Sequence, residues 1–337
     1  MRKTTKLLIW LLVSIFLVVV FLNFFVFGVP EKDNIIFGVN FSEAQMKFLG
    51  LDWKKGYLDI LEDLKVKQIK LITNWDFIEP EKDTFNFSNT DWQLQEADSH
   101  GASIIYVLGM KTGRWPECHV PAFILNLPQD QQQEALLGYI KETIIRYKDE
   151  KSIVAWQAEN EPFFNFGVCP WYDKSFLVKE VELIKSLDSS RPIIVSDSGE
   201  QSFWFQAANI GDIVGTTLYR KVWLHITDNF GFYITWPFSP KSYWLKAEFI
   251  QIVFHKKVIN VELQAEPWFP NIFIKMPIEE QEKIFSPQDF DAYVDYARHT
   301  GFDTFYFWGT EWWYWMKETN NNPAIWNEAK KIISSSH

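Results

Sequence analysis

After residue 34 the chain carries eight short apolar runs, at 35–40, 68–73, 103–108, 153–157, 192–196, 213–217, 258–262 and 304–308. The stretches between them place apolar residues at three- and four-residue spacing, the period of a helix with one buried face. Tyr57, Ile60, Leu61 and Leu64 form one such stripe; Leu136, Leu137, Ile140, Ile144 and Ile145 form another; Phe176, Val178, Val181, Ile184 and Leu187 form a third. Strands alternating with helices predict a parallel sheet with crossover helices, and eight strands are the number that closes a (β/α)8 TIM barrel of the α/β class. Thr90-Asp91-Trp92 and Ser286-Pro287 read as helix starts, each with a capping side chain before the first turn. The fifth helix, over 201–209, is short. The longest irregular stretch is 219–240, rich in aromatics and following the sixth strand.

The N-terminus has a different pattern. Arg2, Lys3 and Lys6 precede an apolar run from Leu7 to Val29, interrupted by Ser14, Asn23 and Gly28. Such a run is long enough to cross a bilayer as one helix, and the leading positive charge favours a cytoplasmic N-terminus with the rest of the chain outside. A cleaved signal peptide is the rival, but no A-x-A-like site is present. The expected organisation is a transmembrane anchor at 1–30 and a catalytic domain at 31–337. The domain is membrane-anchored and extracytoplasmic, or secreted if the segment is cleaved. Cys118 and Cys169 fall in loops after the third and fourth strands; that compartment permits a disulfide, with two free thiols as the alternative. No Cys/His cluster has zinc-ligand spacing, so neither metal nor cofactor is implied.

Of 337 residues, 47% are hydrophobic, which supports a sizeable core, and the formal charge of −10 argues against nucleic acid as a partner. Aromatics reach 18%, with 17 Trp. Some must be core, and a surplus this large also suits sugar binding, since indole faces fit the C–H faces of sugars.

The candidate chemistry lies at strand ends. Val154-Ala155-Trp156-Gln157 runs into Asn160-Glu161-Pro162, and Val258-Ile259-Asn260-Val261 runs into Glu262. In a β/α barrel both ends open onto one face. Two carboxylates there meet the requirement of glycoside hydrolysis: Glu161 as general acid/base and Glu262 as nucleophile. Asn160-Glu161-Pro162 also fits a helix start, with Asn as cap and Pro in the first turn. Glu266 follows the same seventh strand and, under strict alternation, shares a face with Glu262; it is expected above it as a substrate-binding residue. Trp75, Glu311, and the loop residues Arg114, Trp115, Glu117 and His119 are further candidates for sugar contact. Trp312, Trp313 and Trp315 are candidates for a glycan platform or an apolar contact patch.

These motifs resemble glycoside hydrolase clan A, the retaining (β/α)8 hydrolases that include family 5 cellulases. The clan carries Asn-Glu-Pro at the end of its fourth strand and the nucleophile Glu at the end of its seventh. The resemblance covers residue 35 onward and includes Glu79-Pro80-Glu81-Lys82-Asp83-Thr84-Phe85-Asn86-Phe87, similar to the clan's EP-x-x-G-x-F-x-F segment, with Asp83 where Gly is common. It implies that Asn160 bonds the sugar 2-hydroxyl, that Tyr219 bonds the nucleophile, and that Trp308 floors the −1 subsite; core packing is the other reading for the two aromatics. The function this resemblance implies is retaining hydrolysis of the O-glycosidic bonds of an oligo- or polysaccharide through a covalent glycosyl-enzyme. The alternatives are a non-catalytic glycan-binding barrel and a transglycosylase remodelling envelope polysaccharide.

Overall fold

The computed structural model of the chain describes residues 2–227, 230–269, 274 and 276–335. Strands β1 (Ile36–Ser42), β2 (Gln68–Ile72), β3 (Ser103–Leu108), β4 (Ile153–Ala158), β5 (Ile193–Asp197), β6 (Ile213–Leu218), β9 (Lys257–Gln264) and β10 (Thr304–Trp308) pair in parallel. They close into a barrel in the order β1-β10-β9-β6-β5-β4-β3-β2. Each barrel strand coincides with one of the apolar runs to within about two residues. Helix α1 (Arg2–Phe25) precedes the barrel. Around it run α2 (Glu43–Phe48), α3 (Trp53–Glu62), α4 (Trp75–Ile78), α5 (Ser88–Ser99), α6 (Gln129–Tyr147), α7 (Phe176–Leu187), α8 (Phe205–Ile210), α9 (Pro240–Phe254), α10 (Ile278–Ile284) and α11 (Pro287–Arg298). Helices α12 (Thr310–Asn320) and α13 (Ala324–Ser334) follow β10.

Side chains alternate along each strand between two apolar layers. Ile69, Leu71, Ile104, Tyr106, Trp156, Val195, Phe305 and Phe307 pack against the helices. Ile105, Ala155, Ile194, Ile259, Val261 and Tyr306 fill the barrel interior. One departure from alternation matters for the site. In β9, Asn260 faces Thr216 and Phe305, Glu262 faces Thr217, and Leu263 faces Phe307. The strand therefore carries one extra residue against both neighbours, a bulge at Val261. Ile259 and Val261 already point inward, so strict alternation would turn Glu262 out. The bulge lets Glu262 follow Val261 into the barrel.

Several expectations are corrected. The stretch 219–240 is not irregular: β7 (Lys221–Thr227) and β8 (Phe230–Thr235) form an antiparallel hairpin. Two β-branched and aromatic runs flanking Asp228-Asn229 are the sequence signal for it. The helix near Thr90 starts earlier, at Ser88, whose backbone N–H and hydroxyl both donate to Asn86 Oδ1 at 3.2 and 2.7 Å; Thr90 is buried within the helix. The Ser286 start has its full capping box, with the Ser286 hydroxyl accepting from Asp289 N and the Asp289 carboxylate accepting from Ser286 N at 2.9 Å. Trp312, Trp313 and Trp315 are not a platform. All three are buried, and Trp312 and Trp313 donate their indole N–H to Gln281 Oε1 and Ala265 O. Of the two readings of the cysteines, the structure has the bridge: Cys118 and Cys169 are joined, tying the β3 loop to the β4 loop.

Helix α1 lies apart from the barrel core. Its window Leu8–Phe25 has a mean hydropathy of 2.8 and none of it is buried. Its 24 residues span about 36 Å, enough to cross a bilayer.

Candidate active site

The ends of β4, β6, β9 and β10 carry predicted site residues, and Lys70 of β2 reaches two of them. Glu262 is nearly buried, and its two carboxylate oxygens have different partners. Lys70 Nζ, on β2, lies 2.8 Å from Oε1, and the Tyr219 hydroxyl donates to Oε2 at 2.7 Å. Lys70 is wholly enclosed and also donates to Asn160 Oδ1 at 3.1 Å. Glu161 accepts from the Thr217 hydroxyl at 3.1 Å. Thr217 is also the lateral backbone partner of Glu262 across β6 and β9. The expected convergence of Glu161, Glu262, Asn160 and Tyr219 is thus present in the geometry.

The turn that presents Glu161 is strained. Glu159 and Glu161 both take left-handed backbone, at φ 57 and 44, a region non-glycine residues occupy at a cost of about 1–3 kcal/mol each. The surroundings hold them there. The Glu159 carboxylate accepts from Met110 N at 2.8 Å and Lys111 N at 2.5 Å. A Cβ on Gly109 would collide with that carboxylate, so glycine is required there. Lys111 Nζ donates to Glu161 O and Phe164 O, both at 3.0 Å, and Glu161 N–H donates to Ser196 Oγ at 2.8 Å. No helix starts here: the chain after Pro162 is irregular until Phe176. The helix-start reading of Asn160-Glu161-Pro162 is thereby excluded. Asn160 Nδ2 has no acceptor among the described residues and faces the edge of Trp308 across Gly113.

Electrostatics separate the carboxyl groups. Enclosure pushes the Glu161 carboxyl up to about 8, and the negative charge of Glu262 adds to the rise, against an opposing effect of Lys111. Glu117, in the β3 loop, is also pushed up, to about 7, by burial first and then by Glu262, with Lys111, Arg114 and Lys70 opposing.

A second cluster supports the rim. The Arg114 guanidinium is ion-paired to both Glu266 and Glu311 and lies 4.1 Å from the Trp308 ring centroid. Glu311 is fully buried and accepts from Ser42 N at 2.6 Å. It is a strut between β1, the β3 loop and α12, so its expected contact with sugar is corrected. Trp75 is corrected too. It is enclosed, stacks on Tyr139 at 5.8 Å and donates to Glu79 Oε2 at 2.8 Å. Glu266 keeps a small exposed surface beside Arg114. His119 is a loop pin, bonded to Asn74 and to the carbonyls of Gly113 and Arg114.

Sequence reasoning missed Lys70, Thr217, Ser196 and Trp268. Lys70 had a signal: a lone charge at an inward position of an otherwise apolar strand. Trp268 packs edge-on against Tyr219 at 5.2 Å and continues through Phe166 to the exposed Trp115, an aromatic wall beside the carboxylates.

The fold is that of glycosidase TIM barrels. A glycosylated endo-β-1,4-xylanase of glycoside hydrolase family 10 from Gloeophyllum trabeum superposes with a TM-score of 0.56 at 14% identity, over 90% of this chain and 99% of that one. A β-galactosidase from Halorubrum lacusprofundi gives 0.59 at 13% identity, over 90% of this chain and 58% of that one. In sequence, a curated relative named "Probable mannan endo-1,4-beta-mannosidase A" from Aspergillus niger is 35% identical over 74 residues, 21% of this chain. The matched stretch spans only 18% of that relative's length. No family model matches the chain.

Two outcomes follow for stability. Lys70→Met strands Glu262 in a buried site and is expected to cost about 3–5 kcal/mol, while Lys70→Met/Glu262→Met recovers most of that loss. Chemical denaturation of the three proteins measures it; a double variant no better than the single one refutes the pairing. For Glu161, the folded-state value of about 8 lies above the unfolded value of 4.5. Its stabilising protonation is complete below 4.5 and lost as pH rises through about 8. Glu161→Gln escapes that loss, so its Tm advantage over the parent should grow from pH 4.5 to 8. A Tm difference independent of pH would contradict the enclosure of this carboxyl.

Proposed function

We propose that the protein is a retaining glycoside hydrolase acting on a β-linked oligo- or polysaccharide. One observation carries the reading: an acid with a raised pKa, Glu161, stands beside a carboxylate, Glu262, that is ion-paired to Lys70. The charge of Glu262 acts on the Glu161 carboxyl, which supports the two groups facing one cleft, as direct attack by Glu262 requires. Glu161 gives its proton to the glycosidic oxygen as Glu262 Oε attacks the anomeric carbon. The C–O bond breaks, the leaving sugar departs as an alcohol, and a glycosyl ester forms on Glu262. Glu161, now a carboxylate, takes a proton from water. The water oxygen attacks the same carbon and releases Glu262. Asn160 Nδ2 donates to the sugar 2-hydroxyl, as the clan resemblance implies, and Trp308 lies beneath the ring at the reacting subsite. Trp115, Phe166 and Trp268 offer stacking faces to the neighbouring sugars.

The apolar α1 and the positive charges before it support an anchored enzyme whose barrel lies outside the cytoplasm. The Cys118–Cys169 bridge fits an oxidising compartment.

Labelling with a panel of 2-fluoroglycosyl fluorides, followed by peptide mapping, tests the assignment. Label is expected on Glu262; label on Glu266 would move the nucleophile, and a first-formed product of inverted anomeric configuration would overturn the retaining mechanism. The kcat/KM profile should fall on its alkaline side through about pH 8, as Glu161 loses its proton. Glu161→Gln should lower kcat about 10²–10⁴-fold and abolish that limb.

A further inference from the structure

We infer that the barrel does not hang from α1 on a tether but sits against the bilayer through an apolar face on α8 and α9. The inference rests on the anchoring role proposed for α1. The foot of that helix is clamped to the domain. Ser239 N donates to Phe24 O at 2.8 Å and Ser239 Oγ to Asn23 O at 2.9 Å. Lys241 N donates to Phe27 O at 3.0 Å and Val29 N to His299 O at 2.9 Å. The Phe25 ring stacks on Phe238 at 6.2 Å. Clamped at both sides of its last turn, the helix fixes which face of the barrel meets the membrane.

That face is unusually apolar for an exposed surface. Phe24 shares a recess of about 260 Å³ with Phe203, Phe205, Leu245, Phe249 and the Lys246 stem. Phe203 and Phe205 stack at 5.8 Å, and Phe205 meets Phe249 at 5.3 Å. Along α9 the stripe continues through Ile252 and Val253 at helical spacing, with Ile252 69% exposed. A bilayer core takes about 20 helical residues, and 20 counted from Leu7 end at Val26. Phe24 therefore lies within the hydrocarbon boundary. Side chains lining its recess stand at the depth where headgroups meet acyl chains, which suits an apolar face backed by a polar body. The recess has the lining to hold an acyl chain. Lipid is the occupant, because α1 is exposed along its apolar window up to its clamped foot and needs the same solvent.

The test uses the full chain, with residues 1–30 verified by intact mass, in phosphatidylcholine nanodiscs containing a lipid with a diazirine in its acyl chain. After illumination, peptide mapping should find adducts on α1 and on the segments 203–205 and 249–253. Phe249→Glu/Ile252→Glu, both at exposed positions, should cut the adducts on those segments roughly tenfold or more, since losing burial of one large apolar side chain shifts an equilibrium by about that factor. Label on α1 and the Tm should stay unchanged. Adducts on α1 alone, or cross-links joining this face to a second copy of the chain, would overturn the seat and leave the anchor standing. An unlabelled α1 would remove the anchor, and the seat with it.

Discussion

A lysine ammonium held inside the barrel between a carboxylate and an amide is the contact on which the site depends. Lys70 has no exposed surface and Glu262 almost none, so both charges have left water. Desolvation at this depth costs several kcal/mol per ion, and a well-packed apolar pair would serve the fold as well or better. The pair makes sense for what it does to Glu262. It fixes a carboxylate at a strand end, with Tyr219 orienting the second oxygen. Because Lys70 also grips Asn160, the same ammonium locks the β4 turn to β9. Three strands of the barrel are thus registered on one side chain.

The rest of the cleft is arranged around that centre. Arg114 crosses from the β3 loop to Glu266 and Glu311 and covers Trp308 with its guanidinium plane. A planar donor fork is suited to bridging two carboxylates in this way. Glu200, half-buried, accepts from Tyr219 N at 2.8 Å and holds the residue that in turn holds Glu262. The strained backbone at Glu159 and Glu161 persists because such bonds surround it, from Met110, Lys111 and Ser196. Backbone strain of this kind is stable only where neighbouring contacts over-determine it.

Much of this was legible in the chain. The alternation of apolar runs with helical stripes predicted all eight barrel strands, since each strand is sandwiched between two apolar layers and must be hydrophobic. Asn160-Glu161-Pro162 and Glu262 stood out because each follows such a run. Three things were not legible. The β9 bulge leaves no mark in composition; counting inward residues from Ile259 would have turned Glu262 away from the cleft, and only pairing register reveals otherwise. Trp75 and Glu311 looked like sugar ligands because they follow strand ends, yet both are consumed by internal contacts: a hydrogen bond to Glu79 and a stack on the distant Tyr139 for one, the distant Ser42 and Arg114 for the other. Lys70 was passed over as part of a strand, although a charge enclosed within a barrel requires a partner.

The electrostatic coupling between the two carboxyl groups separates a hydrolase from a mere glycan-binding barrel. A binder gains nothing from Glu161 that glutamine would not supply, since the protonated acid offers the sugar a similar donor and acceptor. The difference lies in what happens when Glu262 loses its charge. Part of the rise in the Glu161 pKa comes from that charge. In the proposed mechanism, once Glu262 is esterified by a sugar its charge is gone, and the affinity of Glu161 for a proton must fall. The same carboxyl is then an acid while Glu262 is free and a base while Glu262 is occupied. The proposed mechanism requires both roles in turn, and the arrangement provides the switch with no moving part.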